Sequence, residues 1–252
     1  MTNPSKILVA THHKTGTAWI GGIFQKIAKE LALVFIKEKP ANGDEKWDIL
    51  HNNHSRFNFE YFKKLDYRGF HIIRDPRDIA ISGAFYHCKS SEEWLHVKKP
   101  AFGGLTYQEK INSYDDFSDK LLFEMEHTAL NTIAEIKAWD YTNPNFINVK
   151  YEDLIVDNQL FLFHKIYDFL QFPGHNIPKC LQISYDNSLF SGNLKKDTHR
   201  RSGKSQQWKK YFKTVHHQKF LELYGNVLVE LDYESKNSSE WSTLSIKKEH
   251  LV

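Results

Sequence analysis

The residue types most able to do chemistry gather in three places. The first is Thr11-His12-His13-Lys14-Thr15-Gly16-Thr17-Ala18-Trp19, a small, hydroxyl-rich turn directly after an apolar run. A strand feeding a helix through such a turn makes an anion cradle, because the N–H groups and the dipole of a helix start both favour negative charge. Gly16 lets the backbone come close, Lys14 adds a mobile cation, and Thr15 and Thr17 offer hydroxyl donors. The turn lacks the Gly-x-x-x-x-Gly-Lys-Ser/Thr pattern of nucleoside triphosphatases. The second place is Ile72-Ile73-Arg74-Asp75-Pro76-Arg77-Asp78-Ile79-Ala80-Ile81-Ser82. Arg74 falls where an apolar run stops, and Ser82 follows about two helical turns later. Arginine presents a planar fork that fits phosphate oxygens, with serine as a supporting hydroxyl. The third place runs from His199 through Arg200, Arg201, Ser202, Gly203 and Lys204 to Trp208-Lys209-Lys210. Its Gly203-Lys204-Ser205 is not a triphosphate loop, since Thr198 stands where the first glycine is required. Plainer readings stay open for each: a polar strand-to-helix turn, ion pairs among Arg74, Asp75, Arg77 and Asp78, and a solvated basic loop.

Strands and helices must hold these residues in place. Residues 7–10 read as a short buried strand, and 19–33 carry apolar residues at helical spacing (Ile20, Ile23, Phe24, Ile27, Leu31). Further strands are expected at 47–50, 69–73 and 145–149. Pro76 suits the first turn of a helix over 77–87. Residues 89–114, with Pro100 and Gly103-Gly104, read as a mobile loop or lid. Long helical character is expected over 114–141, with further helices at 159–170 and 215–231. Residues 188–210 are polar and basic. The expectation is one α/β domain over 1–235, with a central parallel sheet flanked by helices, and a polar tail over 236–252. Ligands in such sheets bind beyond the carboxyl ends of the strands. That rule puts the opening turn, Arg74 and Tyr151 on one rim.

Composition narrows the function classes. The chain has 252 residues, 40% hydrophobic and 26% charged, an ordinary soluble globular mix. A net charge of +3 is too mild to indicate nucleic acid, though it suits a pocket for a small polyanion if the basic residues converge. The two cysteines, Cys88 and Cys180, form no metal-binding or disulfide pattern. No run of about 18 apolar residues appears, so no membrane span is expected. With no targeting segment recognised, a cytoplasmic location is expected.

Four motifs together resemble the sulfotransferases that use 3′-phosphoadenosine-5′-phosphosulfate (PAPS). They are Lys14-Thr15-Gly16-Thr17 after the first strand, Ile73-Arg74-Asp75-Pro76-Arg77-Asp78 at a strand end, Lys150-Tyr151-Glu152-Asp153-Leu154, and Arg201-x-Gly203 followed by Trp208-Lys209. The resemblance spans roughly residues 6–212. It implies a turn of Lys14, Thr15, Gly16, Thr17 and Ala18 holding the 5′-phosphosulfate, with Trp19 against the adenine. It further implies that Arg74 and Ser82 hold the 3′-phosphate, that Tyr151 lies near the adenine, and that Arg201, Ser202 and Gly203 close over the 3′-phosphate. Ala18, Ser202 and Gln206 depart from the family's frequent Thr, Lys and Gly. The resemblance implies Lys14 as the cation beside the leaving oxygen, PAPS as co-substrate with 3′-phosphoadenosine-5′-phosphate (PAP) as product, and no metal. The base is implied to be His54, at the end of Trp47-Asp48-Ile49-Leu50-His51-Asn52-Asn53-His54, with His51 as the alternative. His12, His13 or a lid carboxylate also stay open. The partner is a small-molecule, carbohydrate or lipid acceptor. A nucleotide or small-molecule kinase and an inactive adenine-nucleotide-binding module are the competing readings.

Overall fold

A computed structural model describes residues 6–38, 46–192 and 203–235. In chain order the elements are β1 (Lys6–Ala10), α1 (Thr17–Glu30), β2 (Phe35–Lys37), β3 (Ile49–Asn52), α2 (Phe59–Phe62), β4 (Tyr67–Ile73), α3 (Pro76–His87), α4 (Tyr107–Asn112), α5 (Phe117–Glu126), α6 (Thr128–Lys137), β5 (Phe146–Lys150), α7 (Tyr151–Leu154), α8 (Phe161–Phe169), α9 (Ile177–Asp186), α10 (Trp208–Tyr211), α11 (Thr214–Tyr224) and α12 (Val227–Glu230). Two short 3-10 turns, Glu93–His96 and Pro100–Phe102, precede α4.

The five strands form one sheet in the order β2-β3-β1-β4-β5, with every neighbour parallel. A parallel strand covered on both faces must be apolar on both, which is why Ile7-Leu8-Val9-Ala10 is a continuous apolar run. Alternate residues go to opposite faces. Ile7, Val9, Phe70 and Ile72 pack with Ile20, Ile23, Phe24 and Ile27 of α1 and with Phe163 and Tyr167 of α8. Leu8, Ala10, Leu50, Tyr67 and Phe146 face the other way, with Trp47 and Phe62. On that second face Gly69 leaves the space that Phe146 fills, since a Cβ there would lie 2.1 Å from the Phe146 ring.

The chain divides into two compact units. One holds the sheet, with residues up to Arg74 and from Ala138 to Lys204; the other holds Asp75–Lys137 and the residues from Ser205 onward. In the second, α3 opens on Asp75, whose carboxylate accepts from the N–H of Arg77, with Pro76 in the first turn. Leu95, Tyr107, Ile111 and Phe123 make a small core there. Beside it Glu124 accepts from the Tyr107 hydroxyl at 2.8 Å and lies 2.7 Å from His87 Nδ1.

Several boundaries differ from the sequence expectations. The strand expected at 47–50 runs Ile49–Asn52, and the helical stretch expected over 114–141 is two helices parted at His127, whose backbone leaves the helical region at φ −124° and ψ −96°. The expected lid over 89–114 is irregular only in part, because Thr106 and Glu109 form a capping box that starts α4. Gly225, at φ 58°, divides the helix expected over 215–231. β2 and α9 were not anticipated.

Candidate active site

The carboxyl ends of β1, β3, β4 and β5 share one edge of the sheet. Ala10 is in register with Asn52 and with His71, and Ile73 with Lys150. The opening turn, Arg74 and Tyr151 therefore leave the sheet side by side, as the sequence pattern predicted, and the turn carrying His54 leaves β3 beside them.

The opening turn is built around the backbone of His12. Its carbonyl accepts from Thr15 N (3.1 Å), Thr15 Oγ1 (2.8 Å) and Thr17 Oγ1 (2.6 Å), and its N–H donates to Thr15 Oγ1 (3.0 Å). The two threonine hydroxyls thus fold the turn in this structure, and Thr15 is buried. Lys14 has φ 64° and Gly16 φ 99°. Glycine adopts such a backbone without steric cost. A Cβ on Gly16 would also meet the Tyr151 ring at 3.2 Å. Gly16 caps α1 with no side-chain hydrogen bond. The first-turn N–H groups of a helix have no acceptor within the helix, so those after Gly16 point outward at the rim.

Arg74 lies against this turn. Its Nη1 donates to the carbonyl of Lys14 at 3.0 Å, its guanidinium sits 4.5 Å from the Tyr151 ring centre, and Nη2 is 3.5 Å from the carbonyl of Lys204. The Tyr151 hydroxyl is 3.5 Å from the carbonyl of Gly203, which has φ 62°. Trp19 packs edge-on to Tyr151 with centroids 6.0 Å apart, and its Nε1 donates to the Asn187 carbonyl at 2.8 Å. Lys14, Gly16, Trp19, Arg74, Tyr151 and Gly203 are therefore brought together in the sheet unit. Ala18 is exposed on the first turn of α1. Ser82 is half-buried two turns into α3, in the other unit. Arg201 and Ser202 lie outside the described residues.

The two histidine candidates part company. His54 is exposed on the turn that follows β3. Asn52 Oδ1 accepts from the N–H groups of His54 (2.9 Å) and Arg56 (3.0 Å), while Ser55 Oγ donates to the Thr11 carbonyl at 3.0 Å. These bonds fasten the His54 turn to the start of the anion turn. His51, the alternative, lies within β3 and is buried, with Nε2 3.0 Å from Thr11 Oγ1. Its ring packs against Gly21 of α1, where a Cβ would come within 2.6 Å. Burial, helped by Lys37, pushes it down to about 4, so it stands neutral beneath the helix.

The ionic residues after Arg74 are buried rather than spread over a surface. Arg77 grips both oxygens of Asp75 at 3.0 and 2.8 Å, stacks 3.6 Å from the Trp208 ring centre and pairs with Glu234. Asp78 accepts from the Trp208 N–H at 3.0 Å. Sequence reasoning missed the carbonyl of His12 as the hub of the turn, and only the hydroxyls of Thr15 and Thr17 at short range hinted at it. Among the described residues no group of three or more His, Cys, Asp or Glu is placed to hold a metal ion, and no helix is long and apolar enough to cross a membrane.

A parallel sheet that ends on a lysine, an arginine and a helix start is the architecture of an α/β protein that binds anionic ligands at its strand ends. The sequence profile of the sulfotransferase domain matches residues 4–232, and the chain belongs to that enzyme family. No curated protein matches it significantly. Among solved structures, the mouse sulfotransferase SULT7A1 complexed with PAP is 15% identical with a TM-score of 0.58, over 98% of this chain and 89% of that one. Retinol dehydratase, in complex with androsterone and inactive cofactor PAP, is 16% identical with a TM-score of 0.56, over 94% and 84%. The same enzyme with retinol and PAP gives a TM-score of 0.54 at 16% identity, over 95% and 83%. At these identities the likeness is one of fold.

Proposed function

We propose that the chain transfers the sulfuryl group of PAPS to a hydroxyl, or an amine, of a small-molecule, carbohydrate or lipid acceptor and releases PAP. One observation carries this reading: Arg74 is held 3.0 Å from the carbonyl of Lys14, so a second cationic group stands next to the anion turn on the same rim. PAPS has two separated anionic ends, and a site for it needs two such groups. The residues fit it. Gly16 lets the turn pack against the Tyr151 ring, where a side chain would collide, Lys14 and the N–H groups after Gly16 suit the 5′-phosphosulfate, and Arg74 suits the 3′-phosphate. Trp19, half-buried and edge-on to Tyr151, offers an apolar surface beside them.

The donor supplies a sulfuryl group on a phosphate leaving group. His54 takes the proton of the acceptor hydroxyl as its oxygen bonds to sulfur, while the bond from sulfur to the 5′-phosphate oxygen breaks. Lys14 stabilises the charge that gathers on that departing oxygen, which is the main catalytic demand of such a transfer. Thr15 and Thr17 keep the turn in shape through His12. The buried pairing of Asp75 with Arg77 favours this reading over a kinase, because it occupies the acidic residue best placed by sequence to hold Mg²⁺.

The test is turnover of sulfur-labelled PAPS against an acceptor library in the presence of a chelator. Labelled product is expected without metal, and His54→Ala should lower kcat by about 10²- to 10⁴-fold while PAP affinity holds. Absence of any sulfuryl transfer, together with metal-dependent phosphate transfer from ATP, would refute the assignment. Full activity of His54→Ala would remove the base.

A further inference from the structure

Under the opening turn runs a line of polar side chains that the transfer chemistry above does not use. Ala10, His71 and Asn148 form one cross-strand row over β1, β4 and β5. His71 is fully buried. Its ring stacks on Trp139 with centroids 4.1 Å apart and planes 19° from parallel, and Tyr141 lies edge-on at 5.8 Å. Its Nδ1 is 2.8 Å from Asn148 Oδ1, and its Nε2 is 3.0 Å from Nε2 of His12, which is also buried.

Trp139 decides where the protons sit. Its Nε1–H donates to the same Asn148 atom at 3.0 Å, and an indole N–H can only donate. That atom is therefore the carbonyl oxygen, and His71 must offer it an Nδ1–H. Burial first, then His12, hold His71 well below the ordinary histidine range, so it is neutral and its Nε2 carries a lone pair. His12 then donates from Nε2–H. The bonds run one way, from His12 to His71 to Asn148, with Trp139 locking the far end. At the near end, the same His12 residue supplies the N–H and carbonyl that fold Thr15 and Thr17 into the turn.

We infer that His71 is a positioning residue for the transfer: through the ring of His12 it fixes the shape of the turn carrying Lys14 and Gly16. The inference rests on the function proposed above. His71 touches no reacting atom and acts only through His12.

Two measurements test it. Long-range ¹⁵N–¹H correlation spectra of the wild-type protein should show His71 as the Nδ1–H tautomer and His12 protonated at Nε2. Calorimetric titration with PAP should show about tenfold weaker binding by His71→Phe, which keeps a ring on Trp139 but loses both hydrogen bonds. Its KM for the donor should rise while the acceptor KM stays within about twofold, a split that general destabilisation does not produce. The Nε2–H tautomer at His71, or wild-type PAP affinity in folded His71→Phe, would overturn the inference. Should His71→Phe fail to fold, Asn148→Ala replaces it: a mixture of His71 tautomers with weakened PAP binding supports the role, and unchanged binding overturns it. Failure of the wild-type protein to bind PAP sinks the donor assignment instead, a result separable from these.

Discussion

Gly16→Ala is the sharpest perturbation of the anion turn. At φ 99° an L-residue is strained, which costs about 1–2 kcal/mol for a left-handed backbone. The new Cβ would also lie 3.2 and 3.3 Å from two carbons of the Tyr151 ring, closer than comfortable contact, and Tyr151 is held by Arg74 on its face. Taken together the loss is about 2 kcal/mol. For a protein of this size each kcal/mol moves the melting temperature by roughly 2–4 °C, so a fall of about 4–8 °C is expected. Gly22→Ala, six residues further along and inside α1, is the control. A Cβ there meets nothing within 4 Å, and alanine in a helix should stabilise by about 0.5–1 kcal/mol. The two alanines should therefore shift melting in opposite directions by calorimetry. Gly16→Ala should also weaken PAP by about tenfold or more, the scale of one charge-assisted hydrogen bond, and Gly22→Ala should not. An unchanged melting temperature and PAP affinity in Gly16→Ala would refute the reasoning about this turn.

Two further outcomes follow from the same geometry. Lys14→Ala should cut kcat by about 10²-fold, the scale of losing one electrostatic stabiliser, in steady-state assays; a wild-type rate would remove Lys14 from the leaving-group role. His51 is depressed from 6.5 to about 4 by burial, with Lys37 adding to it. The unfolded chain then binds more protons between those values, so this part of the stability is complete above the unfolded value and lost as pH falls toward 4, amounting to on the order of 3 kcal/mol. His51→Gln should flatten that acid limb in urea denaturation followed against pH, and an unchanged slope would contradict the buried, neutral assignment.

Much of the architecture can be read without coordinates, for reasons that show where reading stops. The run Ile7-Leu8-Val9-Ala10 is legible because a parallel strand buried on both faces leaves no polar position. The start of α3 is legible because Asp75 and Pro76 carry the chemistry of a helix start. β2 has three residues at the sheet edge, too few for any period to show. α9 buries Ser184, whose hydroxyl is satisfied by Tyr167 and the Cys180 carbonyl, so its inward stripe does not look apolar. The break at His127 has neither glycine nor proline to announce it. Placing the strand at 47–50 left His51 in a loop beside His54. Once β3 extends to Asn52, strand alternation turns His51 into the core with Ile49, and His54 alone stays at the rim. The contact of His12 with His71 joins residues 59 positions apart and leaves no local trace.

The central claim is that the rim grips a doubly phosphorylated adenosine, with Arg74 reading the 3′-phosphate. The most direct measurement is calorimetric titration of PAP and of adenosine 5′-phosphate into the wild-type protein and Arg74→Ala. The account predicts that wild type binds PAP far more tightly than adenosine 5′-phosphate, and that Arg74→Ala loses most of this preference, about 1.5–3 kcal/mol for a hydrogen-bonded charge, while adenosine 5′-phosphate binding changes little. Equal loss for both nucleotides, or no preference for PAP in the wild-type protein, would contradict it.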